Sequence, residues 1–115
     1  MKYSSSFTYD LHLGEQAEDW AKELFGNAKV EVKNDSMAHQ TGNMFIEVYS
    51  RNKASGISTT TADYWLYKIN DVAIVISTPK LKELVKKFHK QNGFTKGGDD
   101  DTSLGVLVPL IYLLT

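Results

Sequence analysis

Cysteine is absent from the 115 residues. That excludes disulfides, a thiolate metal site and a cysteine nucleophile, and a reducing compartment suits such a chain. No long apolar run is present. The longest, Leu104 to Leu114, is far short of the ~20 residues a membrane helix needs, and Pro109 interrupts it. The first residues, MKYSSSFTYDLHLGEQ, lack the apolar core of a secretory signal, so a soluble, unexported protein is expected. Charge of one sign is not in excess: 13 basic and 14 acidic residues leave a net charge of −1. Bulk charge therefore does not announce a nucleic-acid binder, and any such role must rest on local charge. Repeats and linkers are missing too.

What is present is an ordinary globular balance, 42% hydrophobic and 23% charged, which excludes a disordered chain. One domain over residues 1–115 is expected, burying roughly 65% of the unfolded chain's surface. Leu13, Ala17, Trp20, Ala21 and Leu24 recur at helical spacing, which predicts a helix from Leu13 to Phe25 closed by Gly26. At 100° per residue Glu18 falls at the border of that stripe. Residues 29–35, KVEVKND, alternate with period two, with Val30 and Val32 on one face and Glu31, Lys33 and Asp35 on the other. After a loop over 36–43, MFIEVYS is a second strand with Phe45, Glu47 and Tyr49 on one face.

Arg51 to Gly56 is a polar break, and Ile57 to Ala62 is either a short helix start or a bend. Tyr64 to Ile69 and Val72 to Ser77 form a hairpin about Asn70-Asp71. The second of these is apolar from Val72 to Ile76, as a central strand covered on both faces would be. Thr78-Pro79 opens a helix with Thr78 as N-cap, and Leu81, Leu84, Val85 and Phe88 are its buried stripe. Gly93 to Ser103 reads as a surface loop. Leu104 to Leu114 reads as a last strand in which Pro109 marks an edge or bulge. The expected class is α/β (α+β), a mixed central sheet flanked by helices.

Asp35 and Glu47 carry the chemical interest. If their two strands formed an antiparallel hairpin centred on residue 41, the pair would stand opposite each other, with Cβ atoms about 4.5–5.5 Å apart. Carboxylates that close repel unless a cation or a proton lies between them. Mg²⁺ (or Mn²⁺) is the natural partner, since it takes oxygen ligands and needs few from the protein. The same register sets Lys33 opposite Tyr49, where an ammonium would neutralise charge on a phosphate. Glu18 could approach the same face. A one-residue slip would reverse every side chain.

The order of elements and these residues resemble the core of the restriction-endonuclease-like, PD-(D/E)XK, nuclease superfamily, over roughly residues 12 to 90. Gly14-Glu15-Gln16-Ala17-Glu18 is similar to the first-helix glutamate motif of Holliday junction resolvases, with Glu18 in the glutamate position. Asp35 matches the strand aspartate and Glu47 the glutamate of Glu-x-Lys. Asn34, not proline, precedes Asp35, and Tyr49 stands where the motif lysine would be. Some superfamily members supply that lysine from a neighbouring strand, a position Lys33 fits. Arg51 and Lys53 are the other basic residues nearby. The segment from Ser55 to Trp65 looks like one in small phage proteins of this type.

The resemblance implies metal-dependent hydrolysis of a DNA phosphodiester. Asp35 and Glu47 would hold the metal, and Lys33 and Glu18 would assist. It further implies DNA as partner. The minimal size of the domain suits a homodimer, here through the apolar last strand, and the expected location is the cytoplasm, that of a bacterial host cell if the chain is phage-encoded.

Each residue also has an ordinary reading. Asp35 closes a strand, Glu18 and Lys33 are surface charges, and Asp99 to Asp101 lack the full EF-hand pattern. The lysine face of 80–90, Lys82 and Lys86 included, is either solvated or a surface that tracks phosphates beside Arg51 and Lys53. Tyr64 and Trp65 are core aromatics or base-stacking groups. A non-catalytic nucleic-acid-binding module and a protein-interaction module are the rival functions.

Overall fold

The computed structural model describes residues 2–115. Helix α1 (Lys2–Gly26) leads into β1 (Val30–Asn34), α2 (Ala38–Thr41), β2 (Asn43–Ser50) and β3 (Lys53–Ala54). A 3-10 turn at Gly56–Ser58 precedes β4 (Tyr64–Ile69), β5 (Val72–Ser77), α3 (Thr78–Asn92) and β6 (Thr95–Gly97). A second 3-10 turn at Asp99–Asp101, β7 (Ser103–Pro109) and α4 (Leu110–Leu113) complete the chain. The class is mixed α and β, as expected.

The strands form two sheets, ordered β1-β4-β5 and β3-β2-β7-β6. This overturns the expected β1–β2 hairpin. β1 runs parallel to β4, with Lys33 beside Tyr67 rather than Tyr49, and β2 pairs antiparallel with β7, with Glu47 beside Gly105 rather than Asp35. The reason lies in the connection. Residues 36–42 contain a helical turn instead of a two- to five-residue hairpin loop, and Asp35 directs the chain into it. The β4–β5 hairpin forms as expected, with Asn70 at φ +53°.

The core joins one face of each sheet to α3. Met44, Ile46, Val48, Val106 and Val108 are buried from the second sheet, Trp65, Tyr67, Ile69 and Ile76 from the first, and Leu81, Leu84 and Phe88 from α3. Ser77, one residue earlier than expected, caps α3 by accepting from the Lys80 N–H. The Thr78 hydroxyl instead donates to the Ala62 carbonyl at 2.7 Å.

Three further expectations fail for reasons of layer position. β5 is an edge strand with Val72 and Ala73 exposed, so its apolar run does not mark a centre. β7 ends at Pro109, short of the expected Leu114, and lies between β2 and β6, which pairs only with Ser103 to Gly105. The 93–103 segment is not a plain loop, since it adds β6 to that sheet.

Helix α1 runs well beyond the predicted start, and its apolar stripe is largely unpartnered. Leu24 is buried, whereas Leu13 and Trp20 remain 44% exposed. Trp20 meets Tyr64 edge-on at 5.9 Å. The molecule measures 60 × 28 × 28 Å with a radius of gyration of 17.0 Å, against about 13 Å for a compact chain of this size.

Phe45 lies over a trough of glycines. A Cβ on Gly105 would come within 2.5 Å of its ring and 2.7 Å of the Ile46 carbonyl, and one on Gly97 within 2.7 Å of the same ring. Gly105→Ala is therefore expected to cost about 1–3 kcal/mol. The thermal midpoint should fall by at least about 4 °C. Gly14→Ala, with nothing within 4 Å of the new Cβ, should leave it level or higher. Differential scanning calorimetry of the two variants reads this contrast.

Candidate active site

A half-buried strand normally hides its apolar face. β1 does the opposite. Val32 is 65% exposed, while Glu31, Lys33 and Asp35 are half-buried. The parallel register explains it: Glu31 beside Trp65 and Lys33 beside Tyr67 share the sheet face that those buried aromatics occupy. The charged face of β1 thus shares a side of the sheet with the buried aromatics while its Glu31 and Lys33 side chains keep contact with solvent.

There it lines a cavity of about 600 Å³ together with Glu47 of β2. Lys33, Asp35, Glu47, Tyr67 and Gly97 contribute to its wall. Asp35 and Glu47 therefore border one cavity, across a cleft between two sheets and not as a cross-strand pair. Lys33 and Glu47 also border an adjoining polar hollow of about 420 Å³, closed by Ser55, Gly56 and Thr59 to Ala62.

Each carboxylate is fixed by neutral donors. Asp35 Oδ1 accepts from the N–H groups of Met37 and Ala38, both at 3.1 Å, and Oδ2 accepts from the Phe45 N–H at 3.1 Å. One side chain thereby joins the end of β1 to α2 and to β2. Glu47 Oε2 accepts from the Ser55 hydroxyl at 2.6 Å, and Oε1 from the Ser103 hydroxyl at 2.7 Å. Burial pulls the Glu47 carboxyl upward, but those two hydrogen bonds and the charge of Lys33 outweigh it, leaving the group below its ordinary value. Tyr67 is displaced the other way, first by burial and then by Asp35, Glu31 and Glu47. It stays a neutral phenol among carboxylates.

Lys33 pairs with Glu31 at 3.6 Å, with the two side chains 42% and 46% exposed, and lies 5.8 Å from the Trp65 ring. An ion pair this exposed is weak, so the ammonium is held near the cleft without being consumed. The other proposed residues are not gathered in. Glu18 is exposed on α1 and borders neither hollow. Arg51 and Lys53, exposed at the β2–β3 turn, do not border them either, which leaves Lys33 as the basic group at both carboxylates. Tyr49 is directed elsewhere, 38% exposed and edge-on to Phe94 at 5.7 Å. Lys82 and Lys86 are exposed on α3.

Sequence reasoning assigned no role to Ser55, Gly56, Ser103 or Tyr67, although the segment from Ser55 to Trp65 drew notice as a resemblance. Gly56 sits at φ +55°, where a Cβ would lie 2.3 Å from the Glu47 carbonyl, so the break after β2 folds back onto the strand it leaves. A small-residue pair, Ser55-Gly56, is the one local signal of this. Ser103 carries no local signal, since 56 residues separate it from Glu47.

Two acidic oxygen donors with an ammonium nearby fit a hard divalent ion that keeps most of its waters. Among the described residues no three histidines or carboxylates come together, so the donor set does not fit a fully protein-caged metal. Comparison with family models, curated proteins and solved structures finds no match.

The carboxylate contacts set three outcomes. Asp35→Ala strands three N–H groups and should destabilise the fold by about 2 kcal/mol in urea unfolding; a residue serving only to bind metal would give a neutral or stabilised variant. Glu47, held below the ordinary value of 4.5, contributes stability that is complete above about pH 4.5 and is lost as pH falls through its folded value. Ser55→Ala removes one donor and should shift the Glu47 carboxyl ¹³C titration to higher pH.

Proposed function

We propose that this chain is a small PD-(D/E)XK-type nuclease domain that hydrolyses DNA phosphodiesters with Mg²⁺ or Mn²⁺. The observation that carries the reading is the inward turn of β1, which brings Lys33 and Asp35 to a cavity shared with Glu47. Burying charge costs free energy, and a cleft that gathers it without strong ion pairs has the character of a functional site. Asp35 and Glu47 would hold the cation. A bound cation supplies polarisation of the phosphoryl oxygen and a lowered pKa for the attacking water.

The chain's own groups do the rest. Ser55 and Ser103 keep Glu47 ionised and aimed. Lys33 offsets the negative charge that grows on the phosphate as the water oxygen bonds to phosphorus and the ester bond breaks. Glu18 assists only if α1 bends toward the cleft or a second copy presents it. A homodimer would supply two such sites, one for each strand of a duplex. No described helix is long and apolar enough to cross a membrane.

A second reading has its own support. All three backbone donors around Asp35 are satisfied by that carboxylate, and tyrosine stands at the motif lysine. Both features suit a fold retained for binding nucleic acid without cutting it.

Cleavage of end-labelled linear and branched DNA with Mg²⁺, Mn²⁺ or EDTA separates the two. The nuclease reading expects metal-dependent products, with Glu47→Gln and Lys33→Ala each slowing cleavage by roughly 10²–10³-fold. An inert wild type that still shifts DNA in a gel would favour the second reading.

A further inference from the structure

Away from the cleft, α3 and the segment after it form an apolar groove of about 310 Å³. Val48, Ile57 and Val85 line it, with Phe94 and His89 beside them and Lys82 and Lys86 also on its border. Phe94 is 43% exposed although it is aromatic. Its ring lies 4.2 Å from that of His89, tilted by 34°, and 5.7 Å from that of Tyr49, nearly perpendicular. Three aromatic rings from β2, α3 and the turn after α3 thus converge on one surface.

The charged side chains that border this groove are those of Lys82 and Lys86. Lys82 and Lys86 are exposed, and among the described residues the ion pair formed is that of Lys33 with Glu31, so neither lysine has a carboxylate partner. Lys87 is engaged elsewhere, 4.7 Å from the Tyr112 ring. An apolar slot with an exposed ring and two ammonium groups free of ion pairs at its edge matches a ligand that is flat and aromatic at one end and anionic at the other.

The groove is also connected to the cleft. Lys82 borders both the groove and a hollow of about 520 Å³ that contains Thr60, Thr61 and Ala62, with the carboxylates of Glu23 and Asp63 on its wall as well. Those same residues border the polar hollow of Lys33 and Glu47. A line of recesses with shared walls therefore runs from the carboxylates, around the 55–63 segment, to Phe94.

The geometry points to a stacking subsite for an unpaired nucleobase of single-stranded DNA, with the base against Phe94 and the flanking phosphates at Lys82 and Lys86. Stacking on an aromatic ring tolerates any base, since each has a π-face. The inference extends the nuclease reading by giving it a preference for DNA with an unpaired stretch. It rests on that reading only for the identity of the polymer.

The test compares a fluorescein-labelled oligo-dT with a blunt duplex of equal length, titrated in EDTA and followed by anisotropy. Phe94→Ala should raise the dissociation constant for oligo-dT roughly 5- to 100-fold and leave the duplex within twofold. Phe94→Trp should retain single-strand affinity, which separates loss of stacking from loss of fold. Lys82→Ala with Lys86→Ala should weaken both ligands and flatten the salt dependence.

Unchanged oligo-dT binding by Phe94→Ala, an equal loss for duplex, or no oligo-dT binding by wild type would overturn the subsite and leave the groove to a protein partner. The two proposals fail separately. A wild type that cleaves while Phe94→Ala binds normally refutes only the subsite. A wild type that binds oligo-dT through Phe94 but never cleaves refutes only the hydrolase.

Discussion

The parallel pairing of β1 with β4 decides most of what this molecule can do. A strand has two faces and a period of two, so one register choice settles where every side chain goes. Setting Lys33 beside Tyr67 sends a lysine and two acids inward and a valine outward. Any antiparallel alternative with β2 would have had to satisfy the hairpin turn between them. The chain spends those residues on α2, and Asp35, with its three N–H partners, is what binds that choice into place.

The acids of the cleft are stabilised in an unusual currency. Neither Asp35 nor Glu47 has an ion pair among the described residues. Backbone amides and serine hydroxyls hold them instead. Neutral donors fix a carboxylate's position without cancelling its charge, and at Glu47 they also favour the ionised form. The negative field of the cleft is therefore preserved for whatever enters it, and Lys33 balances that field from one side.

Much of the fold was legible because it is local. Amphipathic spacing located α3, the Asn70-Asp71 turn located its hairpin, and alternation located β1 and β2. What failed was long-range. Val72 to Ile76 is apolar throughout, yet β5 lies at an edge, because composition does not say which strand is a neighbour of which. The stripe on α1 reads as a core face, yet Leu13 and Trp20 meet little of the chain. In the site, Asp35, Glu47 and Lys33 stood out as charges on alternating strands, although the hairpin used to join them does not form. Ser103 could not be found, since its tie to Glu47 spans half the chain and a serine in a strand has no distinguishing pattern.

The connection 35–42 has a consequence of its own. It leaves one sheet at Asp35, makes a single helical turn, and enters the other at Asn43, with the Gly42 carbonyl accepting from the Leu110 N–H at 2.9 Å. It is thus a strut between two separately paired layers, clamped at each end by hydrogen bonds. Its first residues, Asp35 to Met37, also border the cavity that Glu47 shares. The length of this strut therefore sets how far apart the two layers stand around that space, so a residue added or removed there would resize the cavity.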